Sequence, residues 1–337
     1  MSDSRNIKEY QYKSAIAKPI YDFVAQKRGS GYLYNSEAKK LHHFDRFIME
    51  SKQDVCTITK QLFEAYTEKT PNDSERNHRA RYFLIRQFAE FMTIQGFKSY
   101  VPQNIRLKKS KRQFIPYIFT EEELSKLFKA ADAYKLPIRA NNNSKLELII
   151  PIIFKMLYGG GFRISELTHL KVSDVDLENG IVKVVHSKFG NARLVPLNDS
   201  LIKELEIYSK KVHCKACDDA MFFPKSNGEL YLESTFYEHF RKLLWKAGIS
   251  HGGRGKGPRL HDVRHTFAVH CLKNWVKQDC DVIALLPYLS AYMGHANLNA
   301  TQDYLRLTAD AFPDLVKMLE STYGYIIPRI GGVSYDL

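Results

Sequence analysis

The sequence predicts a mainly α-helical chain carrying one small antiparallel β-meander, an α+β arrangement divided into two domains. Three observations carry that expectation. Apolar residues recur at helical spacing through most of the chain, most clearly at Leu146, Ile149, Ile150, Ile153, Phe154 and Leu157. One stretch, 174–197, instead shows short β-branched runs separated by the turn pairs Asn179-Gly180 and Gly190-Asn191. Between Ser99 and Pro116 the composition shifts to Pro, Asn and the bases Arg106, Lys108, Lys109, Lys111 and Arg112. Such a charge run is a solvated linker that can lie beside phosphates at little cost. The expected division is therefore a helical domain over 1–98, a basic linker over 99–115 and a second domain over 116–337.

In order, the first helix is expected around Ala15–Gln26 and stops at Gly29-Ser30-Gly31. Ser36 is placed to cap a second helix, whose inner face carries Ala38, Leu41, Phe44, Asp45 and Ile48. A third runs over about 58–67. After the Pro71–Ser74 turn a fourth, reaching Gly96, interleaves Arg76, Arg79, Arg81 and Arg86 with Tyr82, Phe83 and Phe88. Thr120-Glu-Glu-Glu123 and Ser144-x-x-Glu147 are both spaced as capping boxes. Gly159-Gly160-Gly161 ends the helix that follows the second box and frees the backbone to present Arg163. Beyond the meander, helices over about 199–211 and 234–247 flank a strand-like Ala220–Pro224, and His251–Arg259 is a glycine-rich basic loop containing Arg254 and Lys256.

Charge bounds the partner. The chain has 337 residues and a formal charge of +13, which points to a polyanion or an acidic surface. No apolar run is long enough to span a membrane and the N-terminus lacks a secretory core, so a cytoplasmic protein is expected. Five cysteines argue against a disulfide framework. Cys214-x-x-Cys217 beside His213 has the opening spacing of a zinc site, but no second ligand pair follows. Ordinary thiols, with no metal and no cofactor, are the expectation.

The chemistry concentrates in His261-Asp-Val-Arg264-His265, Met293-Gly294-His295 and Tyr304, together with Arg163 upstream. His261 and Arg264 share one helical face. Taken singly, each such residue is usually packing or surface. Together, cationic donors and a phenol suit attack on a phosphodiester, the cations stabilising oxyanion charge and the phenol attacking phosphorus.

In these residues the chain resembles the tyrosine recombinases of the phage-integrase family. The matching elements are the Gly-x-Arg163-x-Ser-Glu-Leu box, His261-x-x-Arg264-His265-Thr266, Gly294-His295 and Tyr304 in Thr-x-x-Tyr-Leu, spread over about 116–312. The stretch Leu285–His295 is similar to the branch found on transposons and integrative elements. The resemblance implies a helical core-type DNA-binding domain followed by a catalytic domain, and no separate arm-site-binding module. It implies a site-specific recombinase that works through a 3′-phosphotyrosyl link without metal or ATP.

Carried onto this chain, the catalytic set is Arg163, Lys188, His261, Arg264, His295 and Tyr304, with Lys188 at the hairpin tip. Tyr304 is the expected nucleophile, His261 its proton acceptor, and Lys188 the donor to the departing oxygen. Arg76, Arg79, Arg86, Lys108, Lys109, Lys111, Arg112, Arg254 and Lys256 are candidate DNA contacts. Double-stranded DNA is the implied partner, and a C-terminal tail with a helix over Phe312–Tyr323 implies a homotetramer. The same chemistry also fits a topoisomerase or resolvase of the type IB kind, and a non-catalytic DNA-binding regulator is the alternative of a different class.

Overall fold

In the computed structural model the chain divides into two units, Met1–Phe114 and Ile115–Leu337. The residues described are 7–51, 54–103, 115–136, 144–185, 192–213, 217–253, 257–295 and Tyr304. Among them, no helix is long and apolar enough to cross a membrane.

The first unit is built from α1 (Ala17–Gly29), α2 (Asn35–Glu50), α3 (Lys60–Thr67) and α4 (Glu75–Ile94). Their apolar faces meet in a core that includes Ile20, Phe23, Leu41, Phe44, Phe63, Ile85 and Phe88. The hydroxyls of Thr59 and Ser74 start α3 and α4 by accepting from the Leu62 and Asn77 amides. Ser36 does not cap α2. That helix begins at Tyr34, a left-handed residue (φ 53°), whose carbonyl already accepts from the Ala38 amide at 2.9 Å. The core also takes in Tyr100 and Val101, and the Tyr100 amide donates to the Ile58 carbonyl at 2.7 Å.

Asp45, on the inner face of α2, is 1% exposed. Its carboxylate accepts from the amides of Lys13 and Ser14, each at 2.9 Å, and from the Ser14 hydroxyl at 2.6 Å. A buried carboxylate is tolerated because three donors from the N-terminal segment replace its water.

In the second unit the capping box of Thr120 and Glu123 forms and starts α5 (Glu121–Asp132). The central helix is α6 (Leu146–Gly159), with Ile149, Ile150, Ile153, Phe154 and Leu157 buried. Ser144 and Glu147 do not make a box. Glu147 is taken by the preceding loop instead, accepting from the Leu136 amide at 2.7 Å and from Lys135 at 3.2 Å. The short α7 (Ile164–Thr168) follows, then a three-stranded antiparallel sheet of β1 (Val175–Asp176), β2 (Ile181–Val184) and β3 (Arg193–Pro196) in that order. In β2–β3 register, Val182 pairs with Val195 and both are buried, which turns the sheet's inner face onto the core.

Helices α8 (Asp199–Val212), α9 (Glu233–Lys246), α10 (Leu260–Lys277) and α11 (Val282–Met293) complete the described unit. The strand expected at Ala220–Pro224 is not formed. Only isolated bridges, Lys171 with Met221 and Pro224 with Leu230, occur there, because Phe222 and Phe223 are both buried rather than alternating. Lys155 bridges Asp132 (2.8 Å) and Glu204 (2.7 Å), tying α6 to α5 and α8.

Asp45→Ala is expected to lower the stability of the N-terminal unit by about 1–3 kcal/mol, since three part-buried donors lose their buried acceptor. Urea unfolding followed by circular dichroism measures this; an unchanged midpoint would contradict it.

Candidate active site

Four separate segments of the second unit deliver the site. Arg163 is the N-cap of α7 and stands just beyond the glycine run that closes α6. At Gly161 the backbone is left-handed (φ +57°) and a Cβ would stand 2.7 Å from the Phe267 ring, so only glycine turns the chain there. His261, Arg264 and His265 lie in the first turns of α10. Asp262, completely buried, holds that helix start by accepting from the Arg259 amide at 2.8 Å and its guanidinium at 3.0 Å. Thr266 anchors the same helix to the segment before α5, accepting from the Phe119 amide at 3.0 Å. His295 follows Gly294, the left-handed residue (φ +63°) that ends α11. Tyr304 is buried.

The arginines converge on Glu166. Arg163 Nη1 donates to Glu166 Oε1 at 2.7 Å and the Arg163 amide to Oε2 at 2.9 Å. Arg193 forks onto both oxygens, at 2.9 and 2.8 Å. Arg264 Nη1 stands 3.9 Å from Oε2. Arg163 also donates to the Gly294 carbonyl at 3.1 Å, and Arg264 to the carbonyls of Gly161 and Met293. The Arg163–Glu166 bonds close the start of α7 on itself, while those of Arg193 and Arg264 and the Arg163 bond to Gly294 cross between segments, so the cluster fixes the loop after α6, α10, β3 and the end of α11 together. Burial opposes the ionised form of Glu166, yet the bond and charge of Arg193 win and its carboxyl falls below the usual range. Three guanidiniums against this one carboxylate leave the pocket strongly positive.

Tyr304 closes the site. Its hydroxyl is 3.0 Å from His265 Nδ1, and its ring stacks on His295 with centroids 5.6 Å apart. His261 meets His265 edge-on at 4.8 Å. Burial first, and then neighbouring positive charge, pushes His265 down to about 3 and His295 to about 4. His261, the most exposed of the three, is pulled the same way by desolvation, Arg264 and Arg163. Each shift favours the neutral imidazole, which leaves one ring nitrogen without a proton. Burial and Arg163 lower Arg264 to about 10, still well within its charged range.

Of the six residues expected to act in catalysis, the structure gathers Arg163, His261, Arg264, His295 and Tyr304 in this pocket. Lys188 lies outside the described residues, as do Lys108, Lys109, Lys111, Arg112, Arg254, Lys256, Cys214 and the tail helix over 312–323. The remaining DNA candidates sit on α4 of the first unit. Arg76 is exposed, Arg79 lies over the Phe83 ring at 5.6 Å, and Arg86 pairs with Glu90 at 3.0 Å. His213 is bonded to the Phe222 carbonyl through Nε2 at 2.8 Å. Three residues of the pocket, Glu166, Arg193 and His265, carry no assigned role in the sequence reading, although Glu166 and His265 stand inside its motifs. Glu166 was visible three positions after Arg163 and His265 four after His261, both helical-face spacings. Arg193 carried no such signal.

Residues 118–310 match the phage integrase family. A putative integrase/recombinase, y4rB of Sinorhizobium fredii, is 27% identical over 91% of this chain and 98% of its own length. The tyrosine recombinase XerA of Pyrococcus horikoshii is 30% identical over 69% of this chain and 75% of its own. Among solved structures, the Tn1549 transposon integrase in complex with transposon right-end DNA covers 91% of this chain and 99% of its own, with a TM-score of 0.63 at 16% identity. That likeness is one of fold.

A pH dependence follows from the neutral histidines. Unfolded imidazoles take up protons near pH 6.5 while His265 and His295 resist until about 3 and 4. Stability of the second unit is therefore fully present above pH 6.5 and falls as pH drops from there towards 4. Thermal unfolding should show His265→Gln flattening this slope, with a difference on the order of 1–2 kcal/mol at pH 5. A slope equal to that of the wild type would contradict the buried neutral state.

Proposed function

The chain belongs to the phage integrase family and is a tyrosine-type site-specific DNA recombinase, and on that premise we propose that Tyr304 is its nucleophile. The observation that carries this reading is the 3.0 Å approach of the Tyr304 hydroxyl to His265 Nδ1, in the pocket where Glu166 gathers the arginines. A phenol has a pKa near 10 and needs a base to react at neutral pH. His265, with Nδ1 3.0 Å from the hydroxyl, is within reach of that proton. His261, next to it and open to solvent, passes the proton on or takes it directly once DNA is bound.

The Tyr304 oxygen bonds to phosphorus, the bond from phosphorus to the 5′ oxygen breaks, and the departing oxygen takes a proton to become a 5′-hydroxyl. We assign that proton to Lys188. Arg163 and Arg264 stabilise the non-bridging oxygens, where planar donors fit phosphate geometry, and His295 adds a further hydrogen bond. Each Arg264 terminal nitrogen has two hydrogens and gives one to a main-chain carbonyl, which leaves a donor on each. The resulting 3′-phosphotyrosyl link stores the bond energy, so rejoining by a second 5′-hydroxyl consumes no nucleotide. The guanidiniums supply the positive charge at phosphorus, so the step is proposed to be metal-independent.

The first unit is proposed to grip the duplex through Arg76, Arg79 and Arg86, and the basic stretch with Lys108, Lys109, Lys111 and Arg112 to run beside the backbone. Arg254 and Lys256 are assigned the same kind of contact. Such contacts position the protein and are lost at high salt. We further propose that the segment with Leu315, Met318 and Leu319 joins protomers into a homotetramer on DNA.

Incubation with a nicked cognate duplex should give an SDS-stable protein–DNA adduct that Tyr304→Phe abolishes; an undiminished adduct would exclude Tyr304. Arg163→Ala should lower cleavage by about 100-fold or more while binding in a mobility-shift assay stays within a few-fold, because many phosphate contacts remain. Parallel loss of binding and cleavage would contradict this division of roles.

A further inference from the structure

The Glu166 carboxylate is saturated. A carboxylate offers about four acceptor positions. Oε1 receives Arg163 Nη1 and Arg193 Nη1, while Oε2 receives the Arg163 amide and Arg193 Nη2. Arg264, with its nearest nitrogen 3.9 Å from Oε2, is left outside hydrogen-bonding distance. Arg193 supplies two of the four bonds, in the planar fork that holds a carboxylate most firmly.

Arg193 is itself tightly placed. Its side chain is 8% exposed, and its Nε donates to the Tyr292 carbonyl at 2.8 Å. Its Nη1 stands 2.9 Å from where a Cβ on Gly294 would be, so the glycine before His295 also makes room for it. Both guanidiniums assigned to the scissile phosphate therefore share a neighbourhood with an anion that a third guanidinium occupies. Were Arg193 absent, two acceptor positions would open. Arg163 could then turn its whole fork onto Glu166, and Arg264 could close the 3.9 Å gap, both moving away from DNA.

We propose that Arg193 is a positioning residue that occupies Glu166, so that Arg163 and Arg264 keep their charge and free N–H groups for the scissile phosphate. This rests on the recombinase reading above. Arg193 touches no reacting atom and acts through Glu166.

The test is single-turnover cleavage of pre-bound nicked duplex by wild type, Arg193→Met and the double variant Glu166→Gln/Arg193→Met. Each is assayed on a normal scissile phosphate and on an uncharged methylphosphonate at the same position. Arg193→Met should cleave the phosphate about 100-fold more slowly at unchanged DNA binding. The double variant, with no anion left to capture the arginines, should regain at least about 10-fold. The Arg193→Met defect should shrink on the methylphosphonate, which places less demand on cationic charge, whereas a purely structural role would give equal defects on both substrates.

Arg193→Met within about threefold of wild type, a folded double variant with no recovery, or equal defects on the two substrates would each overturn the proposal. Should Arg193→Met fail to fold, the double variant decides alone: cleavage within about 10-fold of wild type supports it, and a folded but inactive protein overturns it. A wild type that forms no adduct on either substrate sinks the recombinase chemistry itself, and with it any role for Arg193.

Discussion

The site depends on one buried negative charge. Glu166 is 3% exposed, on a five-residue helix that could not hold its own conformation, and it bonds to Arg163 at the start of that helix and to Arg193 on β3. Taking such ions out of water is costly, and the cost is met only where donors and acceptors match in number and geometry. Here they do. Removing one member of a buried pair typically costs about 3–5 kcal/mol because the partner is left uncompensated. The cluster is thus a constraint on the fold as well as a reservoir of positive charge.

The rest of the second unit can be understood as the frame for that constraint. α6 is buried along most of its length and sets the position of the glycine run, and therefore of Arg163. Asp262 and Thr266 pin the start of α10, which fixes Arg264 below the surface and leaves His261 and His265 towards the reacting side. β3 lies in the sheet through paired Val195 and sends Arg193 inward. None of these devices is catalytic chemistry, yet each sets an angle or a distance that the chemistry needs.

Much of this was legible in the sequence, and the reason is locality. Arg163 after a glycine run, and His261 with Arg264 three apart, announce themselves because the spacing that marks them is also the spacing that puts them on one turn. The helices and the meander follow from apolar periodicity in the same way. What could not be read depends on tertiary contact. Arg193 lies 27 residues from Glu166 and looks like an ordinary strand arginine until the sheet folds against α7. Glu147 has capping-box spacing, but the Leu136 amide claims it. Phe222 and Phe223 have strand-like composition, yet both point into the core. His265 stood in the recognised motif, and only the packing of Tyr304 against it gives it a part.

The central claim is that the cationic pocket organised by Glu166 serves Tyr304. Its most direct test is to trap the covalent protein–DNA complex, digest both components and locate the nucleotide-bearing peptide by tandem mass spectrometry. The account predicts a 3′-linked nucleotide on Tyr304. A nucleotide on any other tyrosine, or on a serine, would contradict it.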